Sequence, residues 1–343
     1  MPSAKELTIR ALNRPTVVRQ NIVRHRVIFI VWAAVCGAVA HGQAPTRDTV
    51  SAPRRVTKIV NSYPAPSPDG SRVVFQSNRS GVFQIYSMKT DGSDVRQLTD
   101  MPNDSYGPSY APDGKLIAFA HGSGGKSDIY IMASDGSAAR QLTTDGLDNS
   151  HPHWSPDGRR ILFNSSRTTP TEDRADRAKE QDDIFSVALD RTDLRQHTRC
   201  RTVCTYAFFS PDMKRIAYRK VTNTPGLNWD LSESMRNSEV AVANADGSDE
   251  RILTNNAAFD GWPAWSPDGK YIAFASNRLG PANHGQIFVM SPDGSAMRQI
   301  SALPGSYVQP FWSADGRNIY AYNANEVGDD EWGDVVVFVL DSR

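Results

Sequence analysis

The stretch Ser155-Pro156-Asp157-Gly158, between Trp154 and the strand-like Ile161-Leu162-Phe163, is one copy of a turn that punctuates this chain and decides its fold. Five further copies are Ser67-Pro68-Asp69-Gly70, Ala111-Pro112-Asp113-Gly114, Ser210-Pro211-Asp212-Met213, Ser266-Pro267-Asp268-Gly269 and Ser313-Ala314-Asp315-Gly316. Their aspartates are 44, 44, 55, 56 and 47 residues apart. A period in this range is that of a β-propeller blade. Proline presets φ in the turn, aspartate bonds nearby backbone, and glycine accepts positive φ. Met213 replaces that glycine in the fourth copy, so strain is expected there.

Working outward, each repeat holds four strand-like segments, A to D. Strand A precedes the turn, as in Ala264-Trp265. Strand B follows it, as in Leu116-Ile117-Ala118-Phe119. Strand C is Gln84-Ile85-Tyr86 or Asp128-Ile129-Tyr130, and strand D is Arg96-Gln97-Leu98-Thr99 or Arg140-Gln141-Leu142-Thr143. β-Branched and aromatic residues fill the segments, and turn formers fill the gaps. A second turn joins C to D at Asp91, Asp135, Asp190, Asp246 and Asp293. The last repeat stops where its strand D is due, and Arg54-Arg55-Val56-Thr57 supplies that strand from the other end. The reading is therefore all-β: a six-bladed β-propeller of four-stranded antiparallel blades over 54–343, its ring closed by an N-terminal strand.

Lys+Arg and Asp+Glu balance at 38 each, so no basic field points to nucleic acid. Arg24-His25-Arg26, the apolar run Val27 to Ala40 and the ending Ala38-Val39-Ala40 read as a secretory signal over 1–40, followed by a linker over 41–53. The run is 14 residues, short of the roughly 20 that span a bilayer. An uncleaved anchor is the alternative. Export implies a periplasmic or secreted chain in an oxidising compartment, where Cys200 and Cys204 are disulfide candidates and make no zinc site.

The string Ser-Pro-Asp-Gly, Ser77-Asn78-Arg79, Ile85-Tyr86, Asp91-Gly92-Ser93 and Arg96-Gln97-Leu98-Thr99 resembles the propeller repeats of TolB-type proteins. The resemblance covers roughly 54–343 and lacks the α/β domain that precedes the propeller in TolB. It implies a binding role in the cell envelope. The same repeats resemble propellers of prolyl-oligopeptidase-like and tricorn-like peptidases, but no Gly-x-Ser-x-Gly elbow occurs here.

Between the A–B and C–D aspartates the repeats measure 22, 22, 33, 34, 25 and 26 residues. With strands of fixed length the surplus falls in the B–C loops, all on one face, where binding concentrates. Blade three inserts about Thr168 to Asp182, with many charges. Blade four inserts Thr222 to Ser238, with Trp229. Blade six carries Glu326, Asp329, Asp330, Glu331, Trp332 and Asp334, read as a solvated acidic rim. Calcium favours such oxygen-rich clusters, but this spacing matches no EF-hand, so no cofactor or metal is expected.

Six residues before each A–B aspartate stand Tyr63, Gly107, His151, Tyr206, Trp262 and Gln309. Five of the six stack or hydrogen-bond, and as a ring at the channel mouth they suit a peptide or a sugar. Aromatic residues that merely plug the channel are the alternative. His151 and His153 flank Pro152 and are expected on opposite faces of the strand, so not to share one metal. Arg79, Arg167 and Arg278 close strands B and are expected to pair with acids such as Asp104 or Asp260, or to join Trp229 and Trp332 as a binding rim. Trp154, Trp265 and Trp312 read as inter-blade core. The leading expectation is a monomeric, non-catalytic exported propeller binding an envelope protein or peptide, without nucleic acid or a retained membrane span. The rivals are a lyase or glycoside hydrolase using His151, Tyr63, Tyr206 and Arg167, and a small-glycan sensor.

Overall fold

The computed structural model describes residues 54–55, 60–176, 179–222, 238–280, 284–301, 304–327 and 330–340. Within them six antiparallel four-stranded sheets form the blades. The innermost strands A are Asn61–Pro66, Asp104–Tyr110, Asn149–Trp154, Cys204–Phe209, Asp260–Trp265 and Ser306–Trp312. The sixth sheet takes its outermost strand, Arg54–Arg55, from the N-terminal side, with Arg54 opposite Val337 and Arg55 opposite Val336. The expected closure is therefore present. The signal-segment reading of 1–40 and the linker lie outside the described residues. No helix among the described residues is long and apolar enough to cross a membrane.

Five of the six aspartate turns are built alike, and the second has Ala111 in place of the serine. In the first, Ser67 Oγ donates to Asp69 Oδ1 at 2.6 Å, Ser71 N–H donates to the same oxygen at 3.0 Å, and Arg72 N–H donates to Ser67 Oγ at 2.9 Å. Gly70 sits at φ +70°. Met213 is held at φ +59°, a left-handed conformation that costs a side-chain-bearing residue about 1 kcal/mol. Met213→Gly is expected to raise the unfolding free energy by about 0.5–1 kcal/mol, read from urea midpoints at unchanged m-value.

Apolar residues of strands A, B and C pack between blades. Trp154, Trp265 and Trp312 are 9%, 7% and 6% exposed, as expected of inter-blade core. Trp154 Nε1 donates to Ser109 O of the preceding blade at 3.1 Å, and Trp312 Nε1 donates to Ala264 O at 3.2 Å.

One premise of the loop argument fails. Strands B and C are not of fixed length: in blade six they run ten residues each, Asn318–Val327 and Asp330–Val339. The acidic segment there is a long hairpin, and Asp334, expected on a solvated rim, is fully buried. The pleat turns alternate residues inward, so one member of a polar run is drawn into the sheet. Blade three's surplus does form a loop, with a short 3₁₀ turn at Ser166–Thr168 and Thr169 Oγ1 accepting from Gln181 N–H at 2.8 Å. Most of blade four's insertion, Trp229 included, lies outside the described residues, as do the side chains of 325–332, Trp332 among them.

Candidate functional site at the channel mouth

Every A–B ladder slips at the same place. Two residues of strand A oppose one of strand B between Ser62 and Ala65, Tyr106 and Ser109, Ser150 and His153, Thr205 and Phe208, Gly261 and Ala264, and Val308 and Phe311. This is a β-bulge repeated six times. Its first residue is in each case the mouth position: Tyr63, Gly107, His151, Tyr206, Trp262 and Gln309 all have φ between 51° and 59°. The second is proline in five blades and Ala207 in the fourth. A bulge leaves one N–H outside the ladder, and proline has none to leave.

The expectation for the histidines is corrected: residues two apart on a strand share a face, and His151 and His153 both line the same recess. Its volume is about 410 Å³, open mouth included. Tyr63, Tyr206, Trp262 and Gln309 share its wall, so the ring expected from sequence assembles around one space. One layer deeper, His153, Phe208 and Phe311 meet across the axis, with ring centroids 3.7 Å apart for His153–Phe208 and 5.4 Å for Phe208–Phe311. Aromatic plugging thus holds for this inner layer, below the mouth ring.

Hydrogen bonds tie the ring together. His151 Nδ1 lies 3.1 Å from Asn164 Oδ1, and Asn164 Nδ2 donates to Ser150 Oγ at 2.9 Å, which orients the amide. With Nδ1 donating, Nε2 is an acceptor facing the Tyr63 hydroxyl at 3.3 Å. The same hydroxyl lies 3.2 Å from Tyr206 Oη. Tyr63 N–H donates to Gln309 Oε1 at 2.8 Å, which fixes one bulge to the side chain of the next. His151 and Tyr206 rings sit 4.2 Å apart, Tyr206 and Trp262 5.5 Å.

Burial governs the charges. It drives His151 down to about 4, partly opposed by Asn164, and His153 down to about 3 with help from His151. Burial holds Tyr63 and Tyr106 well above the usual phenol range. Both imidazoles and both phenols are neutral at pH 7.

Other residues here were missed by sequence reading. Asp182, 2% exposed, is pushed far up by burial and by Asp148, and its Oδ1 has no hydrogen bond among the described residues. Arg219, 5% exposed, lies over the Phe259 ring at 5.0 Å. Asn164 and Tyr106 belong to the same neighbourhood through His151. No repeat offset marks these positions, because each departs from its equivalents in other blades.

The strand-closing arginines are built into the blades. Arg278 Nη2 bonds both oxygens of Asp260 at 2.8 Å. Arg79 donates to Asn61 Oδ1 at 2.9 Å and stacks 4.6 Å over Tyr86. Arg167 pairs with Asp145 at 2.7 Å and stacks 4.6 Å over Phe185. Asp104 instead accepts from Phe83 N–H at 2.9 Å. No group of three His, Cys, Asp or Glu suited to a metal occurs among the described residues.

Cys200 and Cys204 are joined as a disulfide just ahead of Tyr206. Closing so short a loop is worth about 2 kcal/mol in the chain-entropy account. The Cys200→Ser, Cys204→Ser double variant is expected to lose about that much, measured by urea unfolding without reductant.

The family described as the TolB beta propeller domain matches residues 46–175 and 227–333. Among curated proteins, Uncharacterized peptidase YuxL of Bacillus subtilis (strain 168) is 32% identical over 111 residues, which are 32% of this chain and 16% of that protein. Among solved structures, TolB from Acinetobacter baumannii aligns with TM-score 0.57 at 24% identity, over 73% of this chain and 56% of that one. An oligogalacturonate lyase in complex with manganese aligns with TM-score 0.53 at 14% identity, over 87% of this chain and 96% of that one. The match thus spans about a sixth of the peptidase, and at these identities the structural likenesses show the fold alone.

Proposed function

Because this chain belongs to the TolB β-propeller family, we propose that it is a binding propeller of the cell envelope, taking a peptide segment of a protein partner at the channel mouth. One observation carries the reading: repeated bulges present Tyr63, His151, Tyr206, Trp262 and Gln309 around one recess with an aromatic floor. Aromatic walls supply contact area, and few polar groups fix orientation. The histidine supports binding over general-base chemistry. Held near 4, His151 is a weak base, far from the value near 7 that suits proton abstraction at neutral pH. Export through the segment before Ala40 belongs to the same proposal.

The test is in-cell crosslinking and pull-down with the parent chain beside a Tyr63→Ala, His151→Ala, Trp262→Ala variant whose folding has been confirmed. Capture of one envelope protein by the parent, weakened at least tenfold in the variant, supports the reading; tenfold is about 1.4 kcal/mol, modest for three aromatic contacts. Equal capture by both removes the mouth from the interaction.

A further inference from the structure

The opposite face carries a second recess, between blades four and five, and the repeats themselves act as controls for it. In blade one Arg72 Nη1 pairs with Asp94 at 2.8 Å, its Nη2 donates to Asp94 O, and Ser87 Oγ accepts from its Nε at 3.3 Å. In blade three Arg160 pairs with Asp193 at 2.6 Å, and Ser186 Oγ accepts from its Nε at 3.1 Å. The partner aspartates each take a second arginine from strand D, Arg96 or Arg195.

Blade four has the same arginine and aspartate but breaks the arrangement. Arg215 and Asp249 occupy the equivalent positions, while the orienting serine is replaced by Val242. Without that acceptor the Arg215 guanidinium lies 5.1 Å over the Trp265 ring of blade five, and among the described residues it makes no hydrogen bond or ion pair. Among the described residues Asp249 keeps only the strand-D arginine, Arg251, at 3.0 Å. Where the pair is broken a cleft of about 410 Å³ opens, its mouth included, lined by Arg215, Val242, Asp249, Arg251, Leu253 and Asp293.

We propose that this cleft is a binding site for a monocarboxylate with an apolar stem, the carboxylate taken by Arg215 and the stem by Val242 and Leu253. A planar guanidinium matches a carboxylate with two parallel hydrogen bonds. The apolar wall excludes water from one side of that pair. Asp249 and Asp293 on the rim disfavour a dianion such as phosphate through like-charge repulsion. The volume falls in the range of small-molecule sites. This site is independent of the channel mouth and stands on different residues.

The probe is N-acetyl-leucine, with its amide and inorganic phosphate as comparators, titrated at low salt into the parent chain and followed by NMR shift changes or calorimetry. Saturable millimolar binding of the acid is expected, at least tenfold weaker for the amide and for phosphate. Arg215→Gln is expected to weaken the acid at least tenfold, and Arg72→Gln to leave it unchanged, since Arg72 is already engaged. Val242→Ser restores the acceptor present in blades one and three. It is expected to return Arg215 to Asp249 and weaken binding at least fivefold with the fold intact, so it decides the matter should Arg215→Gln fail to fold. Absence of saturable binding, equal binding of acid and amide, tighter binding of phosphate, or parental affinity in Val242→Ser would each overturn the proposal.

Discussion

Lowering the pH from 7 to 4.5 is expected to remove about 4–5 kcal/mol of folding free energy through His151 and His153. Their folded values, about 4 and about 3, lie below the roughly 6.5 of an unfolded imidazole. Between those limits the unfolded chain binds protons that the folded chain refuses. Stability is therefore fully present above about pH 6.5 and declines as the pH falls towards 4. At 1.36 kcal/mol per pH unit, each histidine loses roughly 2–3 kcal/mol over two units. Asp182 works the other way: its raised folded value makes it cost stability at neutral pH, and part of that cost is recovered on acidification. The turn carboxylates Asp69, Asp212 and Asp315, held low chiefly by serine hydroxyls, stabilise the fold above about pH 4 and lose that contribution only as the pH falls further. His153→Phe keeps the aromatic floor with Phe208 and Phe311 and removes one titrating group. Urea unfolding at pH 7.0, 5.5 and 4.5 is expected to give the variant about half the parent's pH dependence. Identical pH dependence in the two chains would show that His153 titrates normally.

The second large effect lies between blades two and three. Trp154→Ala is expected to cost about 4 kcal/mol, from the lost indole packing and the cavity left behind. Replacement by phenylalanine separates packing from hydrogen bonding. Trp154→Phe removes the indole hydrogen bond to Ser109 O, whereas Trp265→Phe removes none, because Trp265 Nε1 has no acceptor among the described residues. Trp154→Phe is therefore expected to cost about 1–2 kcal/mol more than Trp265→Phe. Equal costs would mean that the indole hydrogen bond adds nothing to blade packing.

Much of this architecture was legible in the chain. Turn chemistry at Asp69 and its equivalents set the blades, and the missing last strand found at Arg54-Arg55 set the closure. The mouth ring was also readable, since a constant offset from the turn carries Tyr63, His151, Tyr206, Trp262 and Gln309 to equivalent places. The direction of those side chains was not read. Proline after the mouth residue in five blades, inside the innermost strand, is a bulge signal, and placing His151 and His153 on opposite faces miscounted an alternation in which residues two apart share a face. Asp182 and Arg219 escaped notice for the reverse reason: a repeat pattern finds what blades share, and these residues are where blades three and four differ. Blade six's long hairpin was hidden because residue counts do not separate a longer loop from longer strands.

The central claim is that the mouth ring is where a partner binds. A photo-crosslinking amino acid placed at Gln309, with a second chain carrying it at Asp157 on the opposite face, tests this in living cells. The account predicts one discrete adduct from Gln309, lost when Tyr206→Ala and Trp262→Ala are added, and none from Asp157. An adduct from Asp157 alone, or from neither position in a folded chain, would contradict it.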